Sequence, residues 1–342
     1  MSRVLRVPAE LDAWLAHAQE QGWTDGLPVV PPTKDRVHSA LERVRLAPDH
    51  VVAVLGPGNG AATVLKIAAN AVLAGCPPDA MPVLVAAVEA IADPRFGLTT
   101  VQVTTNPATA MLVVNGPARD AAGLGSAGNC LGGGPGSGSA IGRALRLVMR
   151  NVGGATGILD AATQGQPAKL SFALAENEEA SPWDPYHVDC GFDRADGTVT
   201  VVPVSGTQNM LETTTDPVEL LTGLASSIRS PTGNDYLFAG EPWLVLCPEH
   251  ATLLAAAGYT KQRVREALWE LSKLAYGEFS ASAARYRLTR TWPDASADDA
   301  SMIPVSRTPA DIRLVVAGGG GVHSTFLQTI GVSRSATRKV CR

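Results

Sequence analysis

Short apolar runs alternate with helical periodicity along the whole chain, and that alternation limits it to few architectures. VVAVLG (51–56), AMLVVNG (110–116), WLVLCP (243–248) and RLVVAG (313–318) are bounded by glycine or proline, as buried strands are. Helical patterns are expected over 8–21, 33–45 (with Thr33 as its cap), 61–74, 78–92, 139–151, 216–228, 249–257 and 261–275. Further strands are expected in TTVQVTT (99–105), KLSFAL (169–174) and GTVTVVPV (197–204). Strands interleaved with helices give an α/β fold with mixed sheets.

An internal echo sharpens this. NPATAMLVVNG (106–116) aligns without a gap on TPADIRLVVAG (308–318), with identities at Pro107/Pro309, Ala108/Ala310, Leu112/Leu314, Val113/Val315, Val114/Val316 and Gly116/Gly318. A glycine-rich stretch follows in both halves. The echo predicts two pseudo-duplicated α/β lobes with a cleft between them, in which the strands of Val113 and Val315 are equivalent. The competing reading is that buried strands resemble one another. The division expected is an N-terminal helical arm (1–45), a first lobe with a glycine-rich loop (46–165), a connecting segment with an acidic motif (166–235) and a second lobe (236–342).

Composition excludes several roles. The 342 residues are 45% hydrophobic and 18% charged, with a net charge of −4, enough apolar content for a core and too little basic character for nucleic acid or an anionic membrane. The N-terminal stretch is too polar for a signal peptide, and no apolar run approaches a membrane span of about 18 residues. Five scattered cysteines without a CxxC pair argue against a disulfide framework and for a cytoplasmic location. The expected partner is a small anionic molecule, within a homo-oligomer.

Two stretches carry the candidate chemistry, and 176–187 is expected to border the same cavity as the 129–143 loop, since acid–base catalysis needs hydrogen-bond reach of about 3 Å. In GNCLGGGPGSGSAIGRALRL (128–147), a glycine loop feeds a helix whose first N–H groups suit a phosphate or carboxylate. Asn129, Gly133, Gly134 and Arg143 are its candidate substrate-binding residues, and Cys130 is a candidate nucleophile if nearby N–H groups lower its pKa. Cys76, in an inter-helix turn, reads as packing. In ENEEASPWDPYH (176–187), strand alternation sends Glu176 and Glu178 to one side and Asn177 to the other. Paired carboxylates followed by His187 suit general acid–base catalysis, and two prolines stiffen the loop. Trp183 and Tyr186 would wall a pocket. The alternative is a charged surface loop. Lys66 and Asn70 share a helix face, where a buried Lys66 would need Glu176 or Glu178 as partner. Asn106 opens the first echo segment. His323 and Ser324 follow the second glycine loop as a catalytic and a binding candidate, whereas His250, near a helix start, reads as structural.

The motifs TDGLPVVPPT, KIAANAVLAGC, ENEEASPWDPYH, CPEHATLLAAAGYTKQRVREAL and RLVVAGGGGVHS together resemble an uncharacterised bacterial protein family associated with small redox domains that carry a Cys/Sec-Gly-Ser-Cys motif. This chain has no such motif. The resemblance implies a metabolic enzyme, leaves thiol chemistry and a redox protein partner open, and transfers no reaction. The residues themselves favour hydrolytic or lyase-type acid–base chemistry on a small anion, with two alternatives. One is a thiol-transfer or redox enzyme using Cys130, and the other is a non-catalytic ligand-binding subunit. No cofactor is expected. Zinc-type ligand spacing is absent, so elemental analysis of the purified protein should find no stoichiometric transition metal. One such ion per chain would contradict this.

Overall fold

The computed structural model describes residues 5–133, 136–281, 283–293 and 298–341, so the candidate Gly134 lies outside the described residues. Seven strands form one mixed sheet: β1 (Thr109–Asn115), β2 (Ala173–Ala175), β3 (Thr198–Leu211), β4 (Trp243–Leu246), β5 (Arg313–Val316), β6 (His323–Thr329) and β7 (Ala336–Lys339). Their order is β2-β1-β3-β6-β4-β5, with β7 added beside β3. The pairs β1/β2 and β4/β5 are parallel, and the other pairings are antiparallel.

The sheet curls around its own core. Val113 (β1), Leu174 (β2), Val202 (β3), Val245 (β4), Val315 (β5) and Leu327 (β6) belong to one buried cluster, completed by Phe172, Tyr186 and Trp243. The sheet bends until its two edges approach, the Asn177 N–H just after β2 reaching the Val316 carbonyl of β5. Alternation puts the intervening residues on the outer face. There Leu112 and Val114 pack with helices α1 (Leu11–Glu20), α2 (Lys34–Leu41), α3 (Val64–Leu73), α4 (Met81–Ile91) and α5 (Gly138–Asn151). Leu244, Leu314 and Phe326 pack with α6 (Pro217–Ile228), α7 (Pro248–Ala256) and α8 (Lys261–Leu271). Local chemistry starts several of these helices. Thr63 and Thr260 cap α3 and α8 through their hydroxyls, and Asp216 caps α6 ahead of Pro217. Thr33 occupies the cap position of α2 but makes no side-chain cap bond.

Several expectations change. One sheet runs through both halves, so two separate sheets across a cleft do not form. Val113 and Val315 are not in equivalent places, because β1 lies between β2 and β3 whereas β5 is an edge paired only with β4. The pairing pattern does repeat in another register. Each half supplies a strand, a helical crossover, a parallel neighbour and an antiparallel third strand, so β1 corresponds to β4 and β2 to β5. VVAVLG forms a two-stranded hairpin with Gly60–Thr63, exposing Val51 and Val54. TTVQVTT lies largely in a helix, Leu98–Val103, which buries Leu98, Val101 and Gln102 on one face. No helix among the described residues is long and apolar enough to cross a membrane.

A buried aspartate pins the end of β6. Asp235 accepts bonds from the Thr329 hydroxyl (2.5 Å) and the Thr329 N–H (3.2 Å). Burial outweighs these bonds and pushes its carboxyl up from 3.8 to about 7. Between those values the folded chain holds a proton that the unfolded chain releases, so this group's stabilising contribution falls as pH rises through that window and levels off above it. Urea unfolding of Asp235→Asn against wild type, from about pH 4 to 8, should show the stability difference shifting in the variant's favour as pH rises. A pH-independent difference would contradict the assignment.

Candidate functional site

The two edges of the curled sheet meet at Glu176 and Asn177, directly after β2. The Glu176 N–H continues the pairing to the Val114 carbonyl (3.1 Å), and the Asn177 N–H crosses to the Val316 carbonyl of β5 (2.7 Å). The Glu176 carboxylate is fully buried. One oxygen accepts from the Asn115 amide (2.5 Å) and the Tyr186 N–H (2.8 Å), and the other from the Val316 N–H (3.4 Å). Burial raises its pKa, against the pull of the nearby Lys261 ammonium and its hydrogen-bond donors. Asn177 turns the opposite way and donates to the Gly318 carbonyl (3.1 Å).

The rest of the acidic motif wraps Arg119. Glu178 accepts from the Gly116 N–H (2.7 Å) and the Asn115 amide (3.1 Å), and lies 3.4 Å from the Arg119 guanidinium. Gly116 has φ +63° and sits against the Asp196 carbonyl, a place that tolerates no Cβ. Glu179 pairs with Arg119 through two bonds of 2.8 and 3.0 Å, which hold its carboxyl down at about 2. His187 is buried, with Nε2 at 3.4 Å from the Arg194 carbonyl. Its Nδ1 has no hydrogen-bond partner and stands 4.0 Å from Glu178.

The glycine loop opens onto a different space. A cavity of about 220 Å³ is lined by 124–130, Gly132, Gly138, Ser139 and Ala173, without Glu176, Glu178 or His187. The expectation that 176–187 and 129–143 border one cavity therefore fails. The reason is strand alternation: Ala173 and Ala175 face outward onto α5, while Leu174 faces the inner cluster and Glu176 turns to the seam. Asn129 and Cys130 line the cavity, and Gly133 lies in the exposed part of the loop. Arg143 turns away to pair with Asp25 (2.7 and 2.8 Å), tying down the 24–28 turn. Burial raises the Cys130 thiol and outweighs the opposing pull of the Cys130 and Leu131 N–H groups, so the loop does not activate it. Cys76 is pushed up to about 12 by burial alone.

The remaining candidates disperse. Lys66 is on the surface, donating to the Ala61 carbonyl (2.8 Å) rather than to Glu176 or Glu178. Asn70 bridges the Lys66 carbonyl and Asn151. Asn106 has a buried side-chain oxygen without a partner. Trp183 donates to the Tyr259 carbonyl (3.0 Å) and packs on the second half's outer core. His323 is exposed beside Asn209 (3.0 Å). The two glycine loops do touch, through the Gly318 N–H to the Ser126 carbonyl (2.9 Å) and the close approach of Gly319 to Gly128.

A second group of polar side chains, in which the sequence offered Ser324 as a binding candidate and His250 as structural but did not single out Cys247, gathers where β4 enters α7. Cys247 is the N-cap of α7 and is buried. Its N–H donates to the Ser324 hydroxyl (3.1 Å), whose oxygen lies 3.7 Å from the Cys247 sulfur and 2.8 Å from Nδ1 of His250. Nε2 of His250 faces the Glu212 carbonyl (2.9 Å), which only accepts, so Nε2 carries a proton. Burial alone would raise the Cys247 thiol; the adjacent His250 and the Ser324 hydroxyl outweigh it and bring the pKa below the ordinary value. His250 shifts up, its burial overcome by the neighbouring Cys247 side chain and the Glu212 carbonyl. The sequence held a signal for this: a cysteine closing a strand, a proline opening a helix, and a histidine at the third helical position, from which a side chain reaches back to the cap. Among the described residues no group of three or more His, Cys, Asp or Glu side chains is arranged to hold a metal ion. No protein-family model and no curated protein matches the chain.

Proposed function

We propose that the protein is an enzyme acting on a small anionic metabolite, with Cys247 as its nucleophile and His250 as the base that works through Ser324. The observation that carries this reading is the hydrogen-bonded line from Cys247 through Ser324 to His250. The Ser324 hydroxyl donates to the Cys247 sulfur, the direction a thiolate requires. In the neutral state both links run the other way, the thiol donating to Ser324 and Ser324 to Nδ1. Moving one proton along each link leaves a thiolate that accepts from the Ser324 hydroxyl and an imidazolium that donates to it. The opposite shifts of the two pKa values agree with this shared proton, and the N-terminal end of α7 favours the thiolate further.

The chemistry that follows is acyl transfer. The thiolate attacks an electrophilic acyl carbon and forms a carbon–sulfur bond, and the leaving group departs with the proton returned from His250 through Ser324. Water then cleaves the thioester, which keeps the reaction within hydrolytic chemistry. The second glycine loop adjoins this centre, its Gly321 N–H donating to Glu249 of α7 (2.7 Å) and its Gly318 N–H to the Ser126 carbonyl of the first loop (2.9 Å). A hydrolytic or lyase-type site built on Glu176, Glu178, His187 and His323 has less support, because both carboxylates are spent on structural donors and His323 is remote from them in the hydrogen-bond network.

The relay makes thiolate formation depend on Ser324. Absorbance titration at the thiolate band, taken as wild type minus Cys247→Ser, should show Cys247 ionising below an ordinary thiol. In Ser324→Ala its midpoint should rise by about one pH unit, ~1.4 kcal/mol. p-Nitrophenyl acetate, a generic acyl donor, should leave an acetyl group on Cys247 that peptide mass mapping detects. A thiol ionising at or above the ordinary value, unmoved by Ser324→Ala, would overturn the reading.

A further inference from the structure

Helix α5 carries Ser139, Arg143, Arg146 and Arg150 at positions i, i+4, i+7 and i+11, one stripe on the face opposite its buried residues Ile141, Ala144, Leu145 and Val148. The first of these arginines is neutralised by Asp25. The other two are not. Arg146 donates through Nε to the Lys169 carbonyl (2.9 Å) and lies 4.0 Å from the Met149 sulfur, its side-chain hydrogen bonds among the described residues. Arg150 has a buried Nε without a hydrogen-bond partner. No carboxylate among the described residues forms an ion pair with either. Lys169 is held by Asp160 at 2.5 Å. The group thus sets four cations against two carboxylates.

We propose that Arg146 and Arg150, with Lys169 at the rim, bind a small oxyanion, a phosphate or carboxylate group, at a site separate from the Cys247 centre. Side chains one helical turn apart stand about 5–6 Å from each other at Cβ, a spacing at which two guanidiniums reach one oxyanion from adjacent sides. Guanidinium is the side chain best matched to that ligand, because its planar fork presents parallel N–H donors. Lys169, whose carbonyl Arg146 holds, also lines a depression of about 620 Å³ with Asp160, Gln164 and Gln166. Neither arginine lines this depression, so the surface opens next to the rim residue. Burial lowers the Arg146 pKa; Asp160 opposes this and Arg150 adds to it, so the two arginines repel. An oxyanion between them converts that repulsion into two charge-assisted contacts.

Inorganic phosphate is the probe, added at constant ionic strength with chloride as the balancing anion. Wild-type Tm should rise with phosphate in a saturable way, and calorimetry should give one site per chain. Arg150→Gln should weaken phosphate binding by roughly tenfold or more while leaving the unliganded Tm unchanged, since Arg150 has no hydrogen bond to lose. Arg146→Gln should do the same to binding. Arg45→Gln, at an exposed arginine outside the stripe, should bind phosphate as wild type does. Cys247→Ser should also bind normally, which separates this site from the proposed thiol centre. Acetate in place of phosphate distinguishes a carboxylate ligand, and a saturable response to either anion that depends on Arg150 supports the site. Responses to neither anion, or equal responses in wild type and Arg150→Gln, would overturn it.

Discussion

The curled sheet depends on one buried carboxylate. A mixed sheet bent until its edges approach leaves the outer N–H and C=O groups of β2 and β5 facing each other across a gap too irregular for a regular ladder. Glu176 spans that gap. Its backbone stays in register with β1, while its side chain accepts the Val316 N–H of the far edge and the Tyr186 N–H that starts the next short helix. Buried donors left unpaired cost about 1–3 kcal/mol each, so a single side chain that serves three of them fixes where the seam closes. The Ser-Pro-Trp-Asp-Pro stretch then matters for a different reason from the one its stiffness suggests. It brings the Tyr186 N–H back to the carboxylate ten residues upstream.

Closing the sheet in this way sets where chemistry is available. In α/β sheets, ligands sit beyond the carboxyl ends of strands. Here the first strands of the two halves lead to Asn115, the last residue of β1, and Cys247, directly after β4, each two residues past an inward-facing valine, Val113 or Val245. The first half spends its position on structure, because Asn115 joins Glu176 to Glu178. The second half leaves a thiol, a hydroxyl and an imidazole in line. The same repeat of pairing, with different residues at matching points, gives one half a strut and the other a group of the kind that reacts.

The large elements were legible because their signals are local. Helix α5 needed only its apolar stripe and the glycines before it, and β1 and β4 needed only their apolar runs between turn residues. Elements decided by tertiary packing were not. TTVQVTT has the β-branched content of a strand, yet Leu98, Val101 and Gln102 find burial on one helical face. The six-identity echo between 106–116 and 308–318 compared an interior strand with an edge strand, and two apolar strands share residues whatever their place in a sheet. For the acidic motif, the sequence correctly sends Glu176 and Glu178 to one side and Asn177 to the other. It could not say that Asn115 and Arg119, some sixty residues earlier, would occupy both glutamates. Cys247 went unnoticed because its partner Ser324 lies 77 residues away and only the sheet order makes them neighbours.

Amide hydrogen exchange tests the seam most directly. In wild type, the Val316 and Tyr186 amides should be among the slowly exchanging ones, since both are held by the same buried carboxylate. Glu176→Gln keeps the size of the side chain but replaces one accepting oxygen with a donor. It should speed exchange selectively at Val316, Tyr186 and Asn177, while Val113 and Val202 in the interior strands keep their protection. Unchanged exchange at Val316 and Tyr186 in the variant would contradict the claim that Glu176 holds the two edges of the sheet together.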